Sequence, residues 1–295
     1  MVTDRLWDIT WNALALRERG PWATPTRNLY PDRKTMNRIR GKTALITGAS
    51  AGIGEACARS FASRGTHLVL CARRKERLRG LEHELEEDQG IRVRTAGLDV
   101  RDRGAVEAFV KDLTGDGIVP DILVNNAGKA LGLADLHEGD VEDWEEMIDT
   151  NVKGLLYMSR AILPLMVERN SGHVVNIGSI AGHQVYPKGA VYNATKFAVR
   201  ALNEGMSLDL FGTDVKVSSI DPGLVETEFS KVRFHGDEGR AETVYEGYEP
   251  LRPEDIADIV AFVVNTPDHV DIQDLVVLPT AQRNAQMVYK EPAGE

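Results

Sequence analysis

The chain has 295 residues, of which 42% are hydrophobic and 27% charged, the proportions of a globular protein that buries a sizeable core. Its 45 acidic residues outnumber its 35 basic ones, and the resulting net charge of −10 argues against nucleic-acid binding and for a cytoplasmic protein. No stretch approaches the roughly 20 apolar residues of a membrane span, so no membrane association is expected.

The first 40 residues differ in kind from the rest. They hold three of the four tryptophans and carry eight Lys or Arg against four Asp or Glu. Trp7, Trp11 and Leu14 follow helical spacing, and Gly20-Pro21 would end a helix there. Two interpretations stay open: an amphipathic helix that docks on the body or on a partner subunit, and a loosely attached extension. The segment lacks the pattern of a secretory signal.

A glycine-rich turn follows the first predicted strand, Thr43–Thr47. The turn reads Gly48-Ala-Ser-Ala-Gly52-Ile53-Gly54 and opens a predicted helix. Glycines here let the backbone turn tightly and let a pyrophosphate approach the helix N-terminus, whose free N–H groups favour an anion. The spacing is not the general Gly-x-Gly-x-x-Gly fingerprint, but its place between a strand and a helix is the expected one. The turn therefore predicts a dinucleotide site.

The end of the second predicted strand, 67–71, indicates which dinucleotide binds. It is followed by Ala72-Arg73-Arg74. An NAD site places a carboxylate here for the ribose 2′-hydroxyl, whereas an NADP site places a cation for the 2′-phosphate. Arg73 is the candidate for the phosphate, with Ser50 as a helper and Arg74 as a weaker second that could instead be a solvated helix start. The sequence predicts NADP(H) over NAD(H).

Strands and helices continue to alternate along the chain. Helices are predicted over 74–88, 102–114 and 253–264, and strands over 91–100, 121–125, 173–178, 215–220 and 274–278. This alternation predicts an α/β protein with one catalytic domain over 41–280, a Rossmann-like doubly wound parallel sheet with helices on both faces. The tail over 281–295 could close over the site or pack on another subunit.

Ligands of such sheets bind beyond the carboxyl ends of the strands. Gly48, Arg73, Asp99, Asn125 and Ser179 all fall at those ends, so one crevice can collect them. The two cysteines, Cys57 and Cys71, fall in predicted helix and strand interiors, where we interpret them as core residues of a reducing compartment. The histidines show no metal-ligand spacing, so no metal site is predicted.

The stretch from Ser179 to Lys196 carries the predicted chemistry. Tyr192 and Lys196 are four apart on a predicted helix and so share one face. A nearby ammonium favours the phenolate and pulls a tyrosine pKa down from about 10, which makes Tyr192 a candidate general acid or base. Ser179 could hold a substrate oxygen between itself and Tyr192. A Tyr-x-x-x-Lys pair also occurs by chance in solvated helices, so this assignment depends on the cofactor site upstream.

The motifs, taken in order, resemble the short-chain dehydrogenase/reductase family. They are Thr47-Gly-x-x-x-Gly-x-Gly54, Asp99, Asn125-Asn-Ala-Gly128, Asn151, Ser179, Tyr192-x-x-x-Lys196 and Pro222-Gly223 with Thr227. The resemblance covers about residues 41–280 and implies that Asp99 faces the adenine and that Asn125, Ala127 and Gly128 form the cofactor floor.

The same resemblance implies the remaining roles. Asn151 would hold a proton-relay water, although it could instead be an interior helix residue satisfied by the backbone. Lys196 would also bind the nicotinamide ribose, and Thr227, behind Pro222-Gly223, would contact the carboxamide or phosphate. A homotetramer is likewise implied.

Three segments show a narrower similarity, to NADP-dependent 3-hydroxy acid dehydrogenases that act on serine and allo-threonine. They are residues 125–132, 142–150 and 222–237. A 3-hydroxy acid needs a cation for its carboxylate, ideally a guanidinium. Arg233 is the candidate, with Lys231 and Lys188 as weaker ones; alternatively, Arg233 is a surface residue of a mobile loop.

The predicted function is NADP-dependent reversible oxidation of a small 3-hydroxy acid of the serine, allo-threonine or 3-hydroxypropionate type. A reductase of uncharged ketones or aldehydes would keep every catalytic residue without needing Arg233. A non-catalytic nucleotide-binding protein would be expected to have a broken Ser179, Tyr192 and Lys196 set, which is intact here.

Overall fold

The computed structural model describes residues 37–291, without the side chains at 241 and 242. The predicted helix through Trp7 and Trp11 and the last four residues of the tail lie outside the described residues. Ile39, which the sequence analysis assigned to the extension, is fully buried in the core, and the backbone amide of Arg38 donates to Asn265 Oδ1 at 2.6 Å. The compact unit that contains these residues begins at Asn37, and the bounds 41–280 of the catalytic domain stay a prediction.

A sheet of seven parallel strands organises the described part of the chain, in the order β3-β2-β1-β4-β5-β6-β7. The strands are β1 (Thr43–Thr47), β2 (His67–Ala72), β3 (Val93–Gly97), β4 (Ile122–Asn125), β5 (Gly172–Ile177), β6 (Val215–Pro222) and β7 (Asp274–Val277). The strand order reverses between β1 and β4, where Leu45 pairs with Val69 on one side and Leu123 on the other. A crevice for ligands forms at such a reversal. The predicted doubly wound sheet is confirmed.

Helices cover both faces of this sheet. They are α1 (Gly52–Ala62), α2 (Lys75–Gln89), α3 (Arg103–Gly115), α4 (Val141–Ile148), α5 (Leu155–Glu168), α6 (Ala190–Asp209), α7 (Phe229–Arg233), α8 (Glu238–Thr243) and α9 (Pro253–Val264). A π-helical turn, Asp149–Gly154, joins α4 to α5. Acidic caps start two of the helices: Asp102 accepts from Ala105 N and Asp140 from Glu142 N, both at 3.0 Å.

The core lies in two layers because successive strand residues point to opposite faces. On β1, Ile46 packs with Phe61 of α1 and Val260 of α9. Leu45 points the other way and packs with Met158 of α5. Fully burying each such side chain stabilises the fold by about 1.5–3 kcal/mol. Among the described helices, none has the length and apolar character needed to cross a bilayer.

Candidate active site

A cleft of about 810 Å³ opens at the carboxyl ends of the central strands. Most of the site residues predicted from the sequence line it. They are Gly48, Ser50, Gly52, Ile53, Arg73, Asp99, Ala127, Gly128, Ser179, Tyr192, Lys196, Pro222, Gly223, Thr227 and Arg233. The topology therefore collects residues from loops far apart in the sequence into one crevice.

Asn125, predicted as part of the cofactor floor, does not line the cleft. Its side-chain Nδ2 donates to Ser159 Oγ and Asn176 Oδ1, both at 3.0 Å, inside the protein. The next residue, Asn126, lines the cleft instead and donates from Nδ2 to Thr47 O at 2.9 Å. Strand pleating explains the difference, because neighbouring residues at a strand end point in opposite directions. Asn125 supports the floor from behind.

Asn151 also lies behind the wall of the cleft, in the π-helical turn. Its Oδ1 accepts from Lys129 N at 2.9 Å, and its Nδ2 donates to Lys129 O at 2.8 Å and Thr195 Oγ1 at 3.0 Å. These bonds tie the loop after β4 to helix α6. The side chain thus fixes the wall, and its relay role stays a prediction.

The glycine-rich turn is shaped for close approach. Gly48 has a φ of +65°, and a Cβ there would lie 3.0 Å from Ala127 Cα. Gly54, which does not line the cleft, lets α1 pack on the turn, since a Cβ there would meet Gly48 O at 2.5 Å. Ala51 at the N-cap supplies no side-chain hydrogen bond to the first turn of α1. The N–H groups of that turn suit a pyrophosphate.

Two arginines follow β2 at the far end of the cleft. Arg73 has a half-exposed guanidinium, 3.5 Å from Glu146. Arg74 donates from Nε to Ser50 Oγ at 3.2 Å and pairs with Glu228 at 2.8 Å. An arginine pair with a serine hydroxyl suits a phosphate, whereas a ribose 2′-hydroxyl calls for a carboxylate. The residues present fit NADP.

Asp99, predicted to face an adenine, lines the cleft beside these arginines. Its carboxylate pairs with Arg101 Nη2 at 2.7 Å. The hydrogen bonds from Arg101 lower the pKa of Asp99, so this carboxylate is ionised at neutral pH. Sequence analysis did not anticipate that Asp99 carries its own counter-ion.

The catalytic candidates meet where β5 ends and α6 begins. Lys196 Nζ donates to Ile177 O at 2.9 Å and lies 5.9 Å from the centre of the Tyr192 ring. Ser179 Oγ accepts from Ala181 N at 3.1 Å and donates to Pro222 O at 3.4 Å, and the Ser179 hydroxyl acts to lower the pKa of the Tyr192 phenol. The arrangement can hold a substrate oxygen between a serine and a tyrosine hydroxyl.

The electrostatics of this site differ from the sequence-based prediction. Burial raises the pKa of the Tyr192 phenol above its ordinary value, and the main opposing contributions come from the Ser179 hydroxyl and the Arg233 guanidinium. Burial also lowers the pKa of Lys196 to about 8. Desolvation therefore outweighs the effect that the spacing of Lys196 and Tyr192 led us to expect, and the lowering of the tyrosine pKa by Lys196 stays a prediction.

Arg233 lies in the cleft between two aromatic rings. Its guanidinium carbon is 5.4 Å from the centre of the Tyr186 ring and 5.8 Å from that of Tyr192. Its Nε donates to Gly132 O at 3.3 Å, and this hydrogen bond fixes the orientation of the guanidinium. The side chain thus packs in the cleft, and its role in binding a carboxylate stays a prediction.

Two polar atoms at this point are buried without a hydrogen-bond partner among the described residues: Arg233 Nη2 and the Tyr186 hydroxyl. The guanidinium lies close enough to lower the pKa of Tyr186, which burial raises more strongly. An unmade bond of this kind costs roughly 1–3 kcal/mol. The pair offers two donors to a ligand with two neighbouring oxygens, such as a carboxylate.

Asp221 is a site residue that the sequence analysis missed. It is 2% exposed, and its Oδ1 accepts from Ser179 N at 3.0 Å while its Oδ2 lies 2.8 Å from His183 Nε2. Burial raises its pKa to about 6. Its place before Pro222, at the carboxyl end of β6, was the available signal. Ligand atoms of His183, Asp221 and Asp274 lie within 4.8 Å of one another, and the predicted absence of a metal stays a prediction.

The tail after β7 also lines the cleft, through Gln282, Ala285 and Gln286. Gln282 Oε1 accepts from Leu224 N at 2.9 Å, and Ala285 N donates to Gln184 Oε1 at 3.0 Å. The described part of the tail thus forms part of the cleft wall; closure over the site and packing on another subunit both stay predictions.

Known proteins resemble this chain over the whole catalytic domain. The profile of the short chain dehydrogenase family matches residues 42–238. NADP-dependent 3-hydroxy acid dehydrogenase YdfG of Escherichia coli K12 is 50% identical over 242 residues, which are 82% of this chain and 96% of that protein. The NADP-dependent 3-hydroxy acid dehydrogenase of Schizosaccharomyces pombe is 40% identical, over 88% of this chain and 100% of its own.

A solved structure is similar in fold as well as in sequence. The closed form of serine dehydrogenase complexed with NADP⁺ superposes with a TM-score of 0.78 and 47% identity, covering 85% of this chain and 100% of its own. The family profile, the relatives of about 50% sequence identity and the seven-stranded parallel sheet all agree. This chain therefore belongs to the short-chain dehydrogenase family.

Proposed function

We propose that this protein is an NADP-dependent oxidoreductase that reversibly oxidises the hydroxyl of a small 3-hydroxy acid of the serine, allo-threonine or 3-hydroxypropionate type. The observation that carries the proposal is the unpartnered pair of Arg233 Nη2 and Tyr186 hydroxyl beside Tyr192. A substrate carboxylate bound by Arg233 and Tyr186 would place the hydroxyl-bearing carbon of a 3-hydroxy acid close to Tyr192. The names of the relatives support the same substrate class.

The coenzyme site follows the shape of the cleft. The turn at Gly48 and the start of α1 would hold the pyrophosphate, and Arg73, with Ser50 and Arg74, would hold the 2′-phosphate. Asp99 would face the adenine, and Thr227 and Lys196 would meet the nicotinamide end. Bound NADP supplies the chemistry of hydride acceptance and donation.

The residues of the chain position the substrate and move the proton. Ser179 would orient the reacting oxygen by hydrogen bonding. Tyr192 would take the alcohol proton during oxidation and return one to the carbonyl oxygen during reduction. Lys196, held by Ile177 O, would lie on the proton path with the water assigned to Asn151. Two elements set this geometry, since Ser179 follows β5 and Tyr192 and Lys196 lie on α6.

Replacing Arg233 by Leu tests the substrate class. With NADP⁺ as coenzyme, we expect the KM for serine, allo-threonine and 3-hydroxypropionate to rise roughly ten-fold or more, because a hydrogen bond to a charged group is worth about 1.5–3 kcal/mol. The KM for a simple secondary alcohol, which makes no such bond, should change far less. Initial rates over a substrate series measure both.

The matched control is Lys231→Leu, which removes a cation from the same short helix. Lys231 is exposed and pairs with Glu238 at 2.9 Å, so its loss should leave both KM values near those of the parent. If Arg233→Leu affected charged and neutral substrates equally, Arg233 would have only a packing role. The reductase of uncharged ketones or aldehydes would then be the better description.

We further propose a cytoplasmic homo-oligomer, a tetramer by family resemblance. Exposed apolar side chains support an assembly through α6 and the turn after it, because Leu208 is 70% and Phe211 93% exposed. Such side chains, when grouped, are typical of protein interfaces.

A further inference from the structure

Glu146 of α4 holds three cations at the far end of the cleft. Its carboxylate pairs with Lys129 Nζ, lies 3.1 Å from Arg101 Nη1 and lies 3.5 Å from Arg73 Nη1. Arg73, Arg101 and Lys129 line the cleft, with Glu146 behind them. The cations at the proposed binding site of the coenzyme 2′-phosphate therefore share one carboxylate, that of Glu146, which does not itself line the cleft.

Lys129 is the unusual member of this group. It is 7% exposed, and burial lowers its pKa while the bond to Glu146 opposes that change. The same bond lowers the pKa of Glu146, so its carboxylate is ionised at neutral pH. Buried lysines are rare unless paired, and nothing in the proposed mechanism uses this one.

We propose that the Glu146 carboxylate opposes the 2′-phosphate of NADP and that Lys129, paired with it, offsets this opposition and so preserves the preference for NADP over NAD. The inference rests on the proposed placement of the phosphate at Arg73. An NADP phosphate brings two negative charges to Arg73, within a short distance of the Glu146 carboxylate. Arg101 lies nearer to Asp99 than to Glu146, and Arg73 lies 3.5 Å from Glu146, so Lys129 is the cation most closely paired with the Glu146 carboxylate.

The alternative role for Glu146 is to hold Arg73 in place. The Arg73 side chain is 55% exposed and 3.5 Å from the carboxylate, and an exposed ion pair of this length restrains a side chain weakly. Repulsion between a carboxylate and a doubly charged phosphate is larger when the wall of a cleft excludes water from part of the path. We therefore expect the repulsion between Glu146 and the 2′-phosphate to affect the binding of NADP more than the ion pair between Glu146 and Arg73 does.

The test is a set of variants assayed at low ionic strength with NADP⁺ and with NAD⁺. Lys129→Met should raise the KM for NADP⁺ roughly ten-fold and that for NAD⁺ by less than about two-fold, because only NADP carries the phosphate. Adding Glu146→Gln to Lys129→Met should return the KM for NADP⁺ to within about two-fold of the parent. Glu146→Gln alone should not raise it. Glu145→Gln, an exposed neighbour on α4, is the control.

Each other outcome overturns the inference. If Glu146→Gln raised the KM for NADP⁺, the carboxylate would be a support for Arg73. If Lys129→Met raised both KM values equally, or the double variant stayed defective, Lys129 would act on the coenzyme directly. Thermal unfolding midpoints check that every variant is folded.

Arg73→Ala separates this inference from the proposed coenzyme site. It should raise the KM for NADP⁺ far more than that for NAD⁺. If it did not, the placement of the phosphate would be wrong and the proposed coenzyme site would fail. If Arg73→Ala behaved as expected while the Lys129 and Glu146 variants did not, only the role of the coupled pair would fail.

Discussion

Tyr192 is the phenol on which the proposed chemistry depends, and burial sets its ionisation. The residue is only 8% exposed, and this burial raises the pKa of the hydroxyl. The phenol is therefore protonated at neutral pH and ready to donate to a carbonyl oxygen. For oxidation, the charged form must be stabilised, and Arg233 at 5.8 Å and the Ser179 hydroxyl are the groups that favour it.

Replacing Tyr192 by Phe removes the hydroxyl and leaves the ring. We expect kcat to fall by about 10²–10⁴-fold, the usual contribution of general acid–base catalysis, in both directions. Binding of NADPH, measured by its fluorescence, should stay close to that of the parent. Tyr248→Phe is the control, because Tyr248 does not line the cleft and its hydroxyl is already bonded to Val244 O at 3.0 Å. A Tyr192→Phe enzyme as fast as the parent would rule out the proposed proton transfer.

At the scale of elements, β5 connects the core to the site. It begins at Gly172, carries Asn176 behind the cleft floor, and leads into Ser179. Its His173 is 4% exposed, with Nε2 2.8 Å from Ser218 Oγ of β6. Burial lowers the pKa of His173 to about 3, and the charges of Lys216 and Lys42 add to the effect. This strand therefore holds a neutral imidazole in the sheet.

His173 predicts a loss of stability in acid. The unfolded chain protonates it near its ordinary pKa of about 6.5, whereas the folded chain does so only near 3, so the free energy of unfolding falls as pH drops between these values. Between pH 7 and 4.5 the linked loss is about 2.5 kcal/mol. In urea unfolding, His173→Gln should lose less stability over this interval by about that amount.

The exposed His269 supplies the control, since His269→Gln should follow the parent at both pH values. Asp221, with a raised pKa of about 6, contributes a trend of the opposite sign, but it is present in every variant and cancels in the comparison. An unchanged pH slope in His173→Gln would mean that the imidazole is not held neutral.

Elements with clear periodicity could be predicted closely. The strand Thr43–Thr47 and the helix Pro253–Val264 have the bounds that the sequence predicted, because a buried apolar run and a proline with acidic residues in the first turn mark them. Helices α4 and α5 were not assigned. A π-helical turn runs between them and Pro164 lies inside α5, so no single helical period extends through the segment.

Some features of the candidate site could likewise be predicted from the sequence, and others could not. Residues at strand ends could be placed in one crevice because parallel strands share one carboxyl edge. The direction in which Asn125 points, the contact of Arg233 with Tyr186, and the pairing of Lys129 with Glu146 depend on packing between distant segments. Burial is also a property of that packing, which is why the ionisation of Tyr192 could not be predicted from its spacing to Lys196.

At the scale of the whole molecule, the described core and cleft are built from residues that follow Met36. The core includes Ile39, the cleft is lined by residues from 48 to 286, and the family match begins at residue 42. Every group assigned a chemical role thus follows Met36.

Deleting residues 1–36 should therefore leave kcat and KM within about two-fold of the parent, because no group with an assigned chemical role is removed. A two-fold change corresponds to about 0.4 kcal/mol. The thermal midpoint should hold as well, because the buried side chains of both core layers remain. Light scattering on the parent and the deletion variant measures whether the proposed oligomer persists. A large loss of activity, or a change in oligomer size, would show instead that the tryptophan-rich segment docks on the body or on a partner subunit, the alternative that its helical spacing left open.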